Sequence, residues 1–282
     1  MVEIHIQTIG HVISQQNTLL ARRFLGITDT LDIGVNEGSE YEMFGDIRDI
    51  EIDPDGRLFI LDTRAGAVRI FNSDGSYAGS IGRPGIGPGE FEHAESVSLL
   101  DSGATAIVAS RDHRIQIFAR DGRGTYRYRD GFTKQGIGGG TSCAVNGHLY
   151  LIGYRPGVDG IVHRFTLDGK WLTAFGAVYQ SKSPFVTSVL SGRGMIACSN
   201  RYGVIAVVED NIPAVTGYAE DGSMLWQVKF GDFKPISRIQ RGPSSMIFPK
   251  PRVSAEVAQQ LARLVFPVAV PRTARGGAGG VR

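Results

Sequence analysis

The sequence predicts an all-β protein in which similar four-stranded units pack radially as the blades of a β-propeller. Three observations support this prediction: a motif that recurs at a fixed spacing, short β runs joined by two-residue turns, and a high glycine content. The 282 residues include 38 glycines, and glycine adopts the positive φ angles of tight turns more readily than any other residue. A repeat of about 20 to 50 residues is typical of solenoid and propeller proteins.

The recurring motif is an aromatic residue followed three positions later by Asp-Gly. Its first three copies begin at Phe71, Phe118 and Phe165, which are 47 residues apart, and a fourth begins at Tyr218, 53 residues further on. Asp-Gly suits the type I′ turns of β-hairpins, so we expect it to join the third and fourth strands of each unit. The four aromatic side chains are then predicted to be buried between neighbouring blades.

The first unit shows how one blade is built. Its β runs lie near residues 47–52, 57–61, 67–71 and 76–82. Turn residues separate these runs, which predicts a four-stranded antiparallel meander. Segments such as GRLFILD and VRIF are apolar on both faces, so the meander must pack against copies of itself. Radial packing of four-stranded sheets is the arrangement of a β-propeller.

Several segments resemble a known repeat family. GRPGIGPGEFEHAESVSLL, DTRAGAVRIFNSDGSYAGSIG and RDHRIQIFARDG resemble NHL repeats, and LDIGVNEGSEYEMFGDI is similar to the lead-in of bacterial six-bladed propellers of NHL type. The resemblance covers about residues 20–230. It implies a six-bladed ring. It does not imply one activity, because NHL-type propellers serve as interaction platforms, ligand binders, nucleic-acid binders and occasionally enzymes.

The chain departs from that family in its number of blades. Four are recognisable, near residues 44–82, 92–129, 139–176 and 185–230. We therefore divide the chain into an N-terminal lead-in (1–43), a propeller region (44–230) and an irregular tail (231–282). Four blades predict an incomplete ring that is open toward the C-terminus, and its open edge is expected to promote self-association.

The two ends of the chain carry further predictions. TLDIG, residues 30–34, is a candidate strand for closing the ring. In the tail, Ser254 is a candidate N-cap for one short helix near residues 254–265. The last residues are rich in Arg, Gly and Ala without periodicity, so we expect them to be disordered.

Composition narrows the partner classes. The formal net charge is only +2, which makes a nucleic-acid partner unlikely. The sequence has no membrane span and no pattern of an export signal, and it assigns no compartment. The two cysteines, Cys143 and Cys198, have no CxxC spacing, so we expect them to be small buried residues.

The sequence offers no recognisable catalytic, cofactor or metal motif. The glycine clusters at residues 82–91 and 136–141 lie between β runs rather than between a strand and a helix, so they are predicted to connect blades. DPDG at 53–56 is interpreted as a turn, not a calcium loop. The six histidines are scattered without zinc spacing. We therefore assign no catalytic residue, no cofactor and no metal ligand.

One set of side chains is a candidate ligand site. Arg64, Arg111 and Arg155 fall in the loops that join the second and third strands of blades one, two and three. In propellers those loops share a rim with the blade-connecting segments, which here contain Arg83 and His93. A rim of guanidinium groups suits phosphate, carboxylate or an acidic peptide.

The sequence therefore favours a non-enzymatic binding scaffold whose loop rim presents this site to a protein or a small anionic ligand. Two alternatives remain open. One is a metal-dependent lyase or lactonase acting in the central channel. The other is an RNA-binding module, which requires a basic face with exposed aromatic side chains.

Overall fold

The computed structural model describes residues 4–8, 11–14, 33–35, 37–138, 141–200, 202–210, 212, 214–230, 240–241 and 246–247. The fold is all-β, with one short helix among these residues. That helix is too short to span a membrane, and no other helix is described. The predicted helix near 254–265 and the predicted disordered end lie outside the described residues.

Each of the four predicted blades is a four-stranded antiparallel sheet whose strand order follows the sequence. Blade one consists of β3 (Ile47–Ile52), β4 (Leu58–Asp62), β5 (Ala67–Phe71) and β6 (Tyr77–Ile81). Blade two consists of β9 (Ala94–Leu100), β10 (Thr105–Ser110), β11 (Arg114–Arg120) and β12 (Tyr126–Thr133). Blade three consists of β13 (Ser142–Val145), β14 (His148–Ile152), β15 (Val162–Thr166) and β16 (Trp171–Phe175). Blade four consists of β17 (Gly194–Ser199), β18 (Val204–Glu209), β19 (Ala214–Ala219) and β20 (Met224–Phe230).

Shorter elements lie outside the blades. They are β1 (Ile4–Thr8), β2 (His11–Ser14), β7 (Arg83–Pro84), β8 (Glu90–Phe91), β21 (Gln240–Arg241), β22 (Met246–Ile247), a 3-10 turn (Asp101–Gly103) and helix α1 (Pro184–Leu190). Helix α1 occupies the start of the region predicted as blade four, whose first strand begins later, at Gly194. Ser183 caps this helix by accepting a hydrogen bond from the Val186 N–H, and a proline in the first turn is typical of a helix start.

An N-terminal hairpin pairs with the outer strand of blade four. Strand β1 runs antiparallel to β20, with Ile4 opposite Phe230, and β2 pairs with β1, so this sheet has six strands. This hairpin is not the segment at residues 30–34 that was predicted to close the ring. Residues 30–32 lie outside the described residues, and residues 33–34 are not in a strand. The edge of β20 is thus covered by β1 rather than left unpaired.

The blades pack in sequence order, one on two, two on three and three on four. The first strands of neighbouring blades contact one another, which places them nearest to the propeller axis. A separate apolar cluster of buried side chains fills each of the three interfaces. This arrangement is consistent with an incomplete propeller and confirms that both faces of a blade are apolar.

All four repeated third-strand aromatics pack against other rings, but only two of them are fully buried between blades as predicted. Phe118 lies in the cluster between blades one and two, and Phe165 in the cluster between blades two and three. Tyr218 packs at the edge of the cluster between blades three and four. Phe71 is also buried, but it contacts the ring of Phe44, which lies just before β3. Among the described residues no blade precedes blade one, so Phe71 does not lie between two blades.

The expectation that Cys143 and Cys198 are separate buried residues is wrong. The two residues form a disulfide that joins β13 of blade three to β17 of blade four, across 55 residues of sequence. The bond forms because adjacent first strands bring the two Cα atoms to 5.5 Å, which is within the range that disulfides require. Sequence spacing gives no signal of this geometry, because it arises from blade packing.

We predict that Phe118→Ala destabilises the fold by about 3 to 5 kcal/mol, because it removes a ring from a closely packed interface and leaves a cavity. Phe118 is only 2% exposed. Denaturant unfolding measures the loss. The control is Phe185→Ala on α1, where the side chain is 44% exposed. Equal stability of the Phe118 and Phe185 variants would contradict the proposed packing.

We also predict that replacing both cysteines by serine lowers the unfolding free energy by about 2 to 4 kcal/mol, because closing a loop of this length restricts the unfolded chain. Unfolding with and without reductant measures the effect. The double variant should be insensitive to reductant, which makes it the internal control. Alkylation of both thiols in the folded, unreduced protein would show that the bond does not form.

Candidate functional site

The loops that join second and third strands lie on the same rim as the segments that precede each blade. Backbone hydrogen bonds connect the two sets of segments in blades one, two and four. The donors and acceptors are Thr63 N–H to Asp46 O at 2.9 Å, Arg111 N–H to His93 O at 2.8 Å, and Asp210 N–H to Arg193 O at 2.9 Å. The strand topology thus brings together the two kinds of segment in which the sequence analysis placed its candidate residues.

A cavity of about 550 Å³ opens on this rim at the seam between blades one and two. We call it the seam cleft. Its titratable lining residues are Asp46, Arg48, Arg64, Glu92, His93, Glu95 and Arg111. The structure therefore brings together three of the five predicted site residues, Arg64, His93 and Arg111, and adds Arg48, which the sequence analysis did not single out.

The other two predicted residues lie elsewhere. The exposed guanidinium group of Arg83 forms an ion pair with Glu90 at 2.8 Å. Arg155 lies in the loop between β14 and β15, where its guanidinium carbon is 5.8 Å from the centre of the Trp171 ring. Neither side chain lines the seam cleft, so the described arginines do not form one continuous cationic rim.

A buried carboxylate at the end of β4 fixes the wall of the cleft. Asp62 is fully buried and accepts hydrogen bonds from the backbone N–H groups of Gly45 at 3.0 Å, Asp46 at 3.1 Å and Arg64 at 3.1 Å. Its side chain also forms an ion pair with Arg69 at 3.3 Å. Burial alone would raise the pKa of Asp62, but the backbone donors and the guanidinium group outweigh it and hold the pKa below its usual value.

Gly45 lets the Arg64 side chain lie close against the backbone just before β3. A Cβ atom at position 45 would be 2.4 Å from Cδ of Arg64, a distance that no side chain can accept. Glycine is therefore required by close approach at this position. Asp62 and Gly45 together place Arg64 at the mouth of the cleft.

Only some of the charged side chains that line the seam cleft have an ion-pair or hydrogen-bond partner among the described residues. Glu95 forms an ion pair with Arg111 at 3.0 Å, and the Asp46 carboxylate accepts a hydrogen bond from the Thr63 hydroxyl at 2.7 Å. Arg48 and Arg64 form no ion pair with another residue of the described part of the chain. Two guanidinium groups thus retain donors for a ligand.

Sequence reasoning missed a buried lysine close to this cleft. Lys134 follows β12 and is 1% exposed. Burial lowers the pKa of its ammonium group, and the nearby carboxylates of Glu95 and Asp112 oppose this shift. Nothing in the sequence distinguishes Lys134 from a surface lysine, because its burial depends on the packing of the connection between blades two and three.

A pair of carboxyl groups on the first strand of blade one was also missed. Asp49 accepts a hydrogen bond from the Val97 N–H of β9 at 2.9 Å, and Glu51 lies on the same face of β3 because strand residues alternate. Burial raises the pKa of Asp49 to about 6. Burial, reinforced by the Asp49 charge, raises the pKa of Glu51 to about 8.

The raised pKa values of Asp49 and Glu51 make the folded state less stable as the pH increases. A carboxyl group whose pKa is raised by folding binds its proton more tightly in the folded state, so its ionisation opposes folding as the pH increases. This pair costs little below about pH 3, where both carboxyl groups are mostly protonated in the folded and the unfolded state. Its cost grows as the pH rises toward 8, the folded-state pKa of Glu51.

We predict that Glu51→Gln stabilises the protein at pH 8 to 9 by roughly 1 to 3 kcal/mol and changes little at pH 4, since one unit of pKa shift corresponds to about 1.4 kcal/mol. Thermal unfolding across this pH range measures the difference. Glu40→Gln, at an exposed position of the lead-in, is the control for loss of one charge. A destabilised Glu51→Gln variant at pH 8 would show that the carboxylate is ionised and stabilising.

The described histidine, cysteine and carboxylate side chains do not cluster. Among them, no three His, Cys, Asp or Glu side chains form a group that could hold a metal ion. The six histidines include His163, which is fully buried, and burial lowers its pKa to about 4.

Comparisons with known proteins support the propeller fold. The family model DUF5128, described as a 6-bladed beta-propeller, matches residues 37–116, which contain the whole seam cleft. No curated protein matches the chain in sequence. The NHL type in particular remains a resemblance in sequence.

Solved structures resemble the chain at low identity. A protein named as an exported protein from Bacteroides fragilis is 12% identical with a TM-score of 0.51, covering 70% of this chain and 54% of that chain. Hydrazine synthase from Kuenenia stuttgartiensis is 12% identical with a TM-score of 0.45, covering 74% and 56%. Virginiamycin B lyase from Staphylococcus aureus is 15% identical with a TM-score of 0.40, covering 64% and 54%. The chain thus spans about half the length of these structures, and the likeness to the Bacteroides fragilis protein shows the fold alone.

Proposed function

We propose that this propeller is a binding protein that takes up a small organic anion in the seam cleft. The observation that supports the proposal most directly is that Arg48 and Arg64 line the cleft without an ion-pair partner among the described residues. A guanidinium group presents a planar fork of donors that matches a carboxylate. The cleft volume of about 550 Å³ falls within the usual range of small-ligand sites.

The backbone around this site is held by hydrogen bonds. Asp62 accepts hydrogen bonds from backbone N–H groups on both sides of the entrance, and Glu95 forms an ion pair with Arg111. The backbone that carries Arg64 is therefore in place before a ligand enters, which lowers the entropy cost of binding. A small anion is favoured over an acidic protein because the free donors lie in a concave cleft rather than along the whole rim.

The cleft contains acidic groups as well. Asp46 and Glu95 are engaged with Thr63 and Arg111, whereas Glu92 forms no ion pair with a described residue. Glu92 is therefore expected to weaken the binding of an anion. Replacing Glu92 should therefore strengthen the binding of an anion, whereas replacing an arginine of the cleft should weaken it.

We predict that Arg64→Ala weakens the binding of butyrate by about tenfold or more, because a hydrogen bond to a charged group contributes about 1.5 to 3 kcal/mol. Chemical-shift titration by NMR measures the affinity, and the affinity should fall as salt is added. The control is Arg123→Ala, which removes the same charge from an exposed turn between the third and fourth strands of blade two, at the opposite rim.

Two results would overturn this proposal. One is the absence of any saturable binding of butyrate or citrate to the unaltered protein. The other is equal weakening by Arg64→Ala and Arg123→Ala, which would show that net charge rather than the cleft attracts the anion. Unchanged thermal unfolding of both variants shows that the affinities refer to folded protein.

A further inference from the structure

A second cavity of about 420 Å³ adjoins the seam cleft. The two cavities share Thr63, Arg64 and Glu92 as lining residues. Arg64 therefore stands on their common wall, so a ligand whose charged group contacts Arg64 can extend to either side. We call these two adjacent cavities, with Arg64 on their common wall, the groove.

The walls of the second cavity differ in chemistry from those of the first. Beyond the shared residues it is lined by Pro84, Ile86 and Phe91, with glycines and the ion-paired Glu90. Ile86 is 72% exposed, so its side chain is accessible to an apolar group of a ligand, and removing that surface from water on binding would be favourable. An apolar group of a ligand would be covered by these side chains and would cover Ile86 in turn.

The loop that carries Ile86 is held in place by several hydrogen bonds. Its backbone is anchored by Gly87 N–H to Glu90 at 2.9 Å and by Gly89 N–H to the Gln116 side chain at 2.7 Å. The Gln116 amide also donates to Glu90 O at 2.8 Å, and Arg114 donates to Ile86 O. The exposed isoleucine is thus presented by a preorganised loop, which favours binding.

We infer that the groove binds aliphatic carboxylates, with the carboxylate on Arg64 and the alkyl chain over Pro84 and Ile86. This inference rests on the proposed function and specifies its ligand class. The shared Arg64 supplies the charge recognition, and the second cavity supplies the apolar surface. No covalent step is involved.

The test is a series of straight-chain carboxylates, acetate, butyrate, hexanoate and octanoate, titrated below their micelle concentrations. We expect the affinity to rise by about two- to fourfold for each added methylene, because a fully buried methylene contributes about 0.8 kcal/mol. Glu92→Gln should tighten the binding of every member by removing a like charge. Arg64→Ala should weaken every member by a similar factor.

A substitution in the apolar wall separates this groove from other apolar surfaces. Ile86→Ser should flatten the dependence on chain length and leave acetate binding unchanged. The matched control is Phe185→Ser, which removes another exposed apolar side chain, on α1. Because Ile86 is largely exposed, its replacement should leave the fold intact.

The outcomes distinguish this inference from the proposed function. If acetate, butyrate and octanoate all bind the protein with the same affinity, the alkyl site is refuted while the anion site stands. If no carboxylate binds, both fail. If octanoate binds tightly but is insensitive to Arg64→Ala and to Ile86→Ser, it occupies another apolar surface and the inference is wrong.

Discussion

A contact between two aromatic rings joins every blade to the segment that precedes it, and the rest of the structure depends on this contact. The ring pairs are Phe44–Phe71 at 5.9 Å, Phe91–Phe118 at 5.6 Å, Phe132–Phe165 at 5.9 Å and Phe175–Tyr218 at 5.2 Å between centroids. Such pairs stabilise beyond the area they bury. In blades two to four the first ring comes from the end of the previous blade or from the connection that follows it. In blade one it comes from the segment just before β3. Phe44 thus contacts Phe71 as the preceding rings contact their partners in the other three blades, and the same segment supplies Gly45 and Asp46 to the seam cleft.

The sequence predicted one ring of each pair but not the other. The third-strand aromatics recur with Asp-Gly at a constant offset, so periodicity finds them. Their partners lie 27 residues earlier in the first two blades but 43 residues earlier for Tyr218, because the connections between blades vary in length. The sequence also does not show which face of strand β3 points inward. Its isoleucines, including Ile50, are exposed while Asp49 and Glu51 face inward, which reverses the usual pattern of apolar residues inside.

In the candidate site, too, the sequence predicted where the backbone places a residue but not where its side chain lies. Topology places the second loop of each blade on one rim, so the positions of Arg64, Arg111 and His93 could be predicted from the repeat. The directions of Arg83 and Arg155 could not, because Glu90 and Trp171 determine them. The disulfide and the burial of Lys134 also result from contacts between blades. The periodicity of the sequence thus predicts the strands and loops. The directions, burial and bonding of individual side chains depend on contacts that the periodicity does not contain.

The most direct test of the account is a map of backbone amide shifts in the NMR spectrum on addition of butyrate. We expect the largest saturable shifts at residues 45–46, 63–64, 92–95 and 111, where the segment before β3, the loop between β4 and β5, and the second blade meet. Amides of the opposite rim, at residues 121–125, should not move. Largest shifts in that opposite turn, or in blades three and four, would contradict the assignment of the ligand site to the seam between blades one and two.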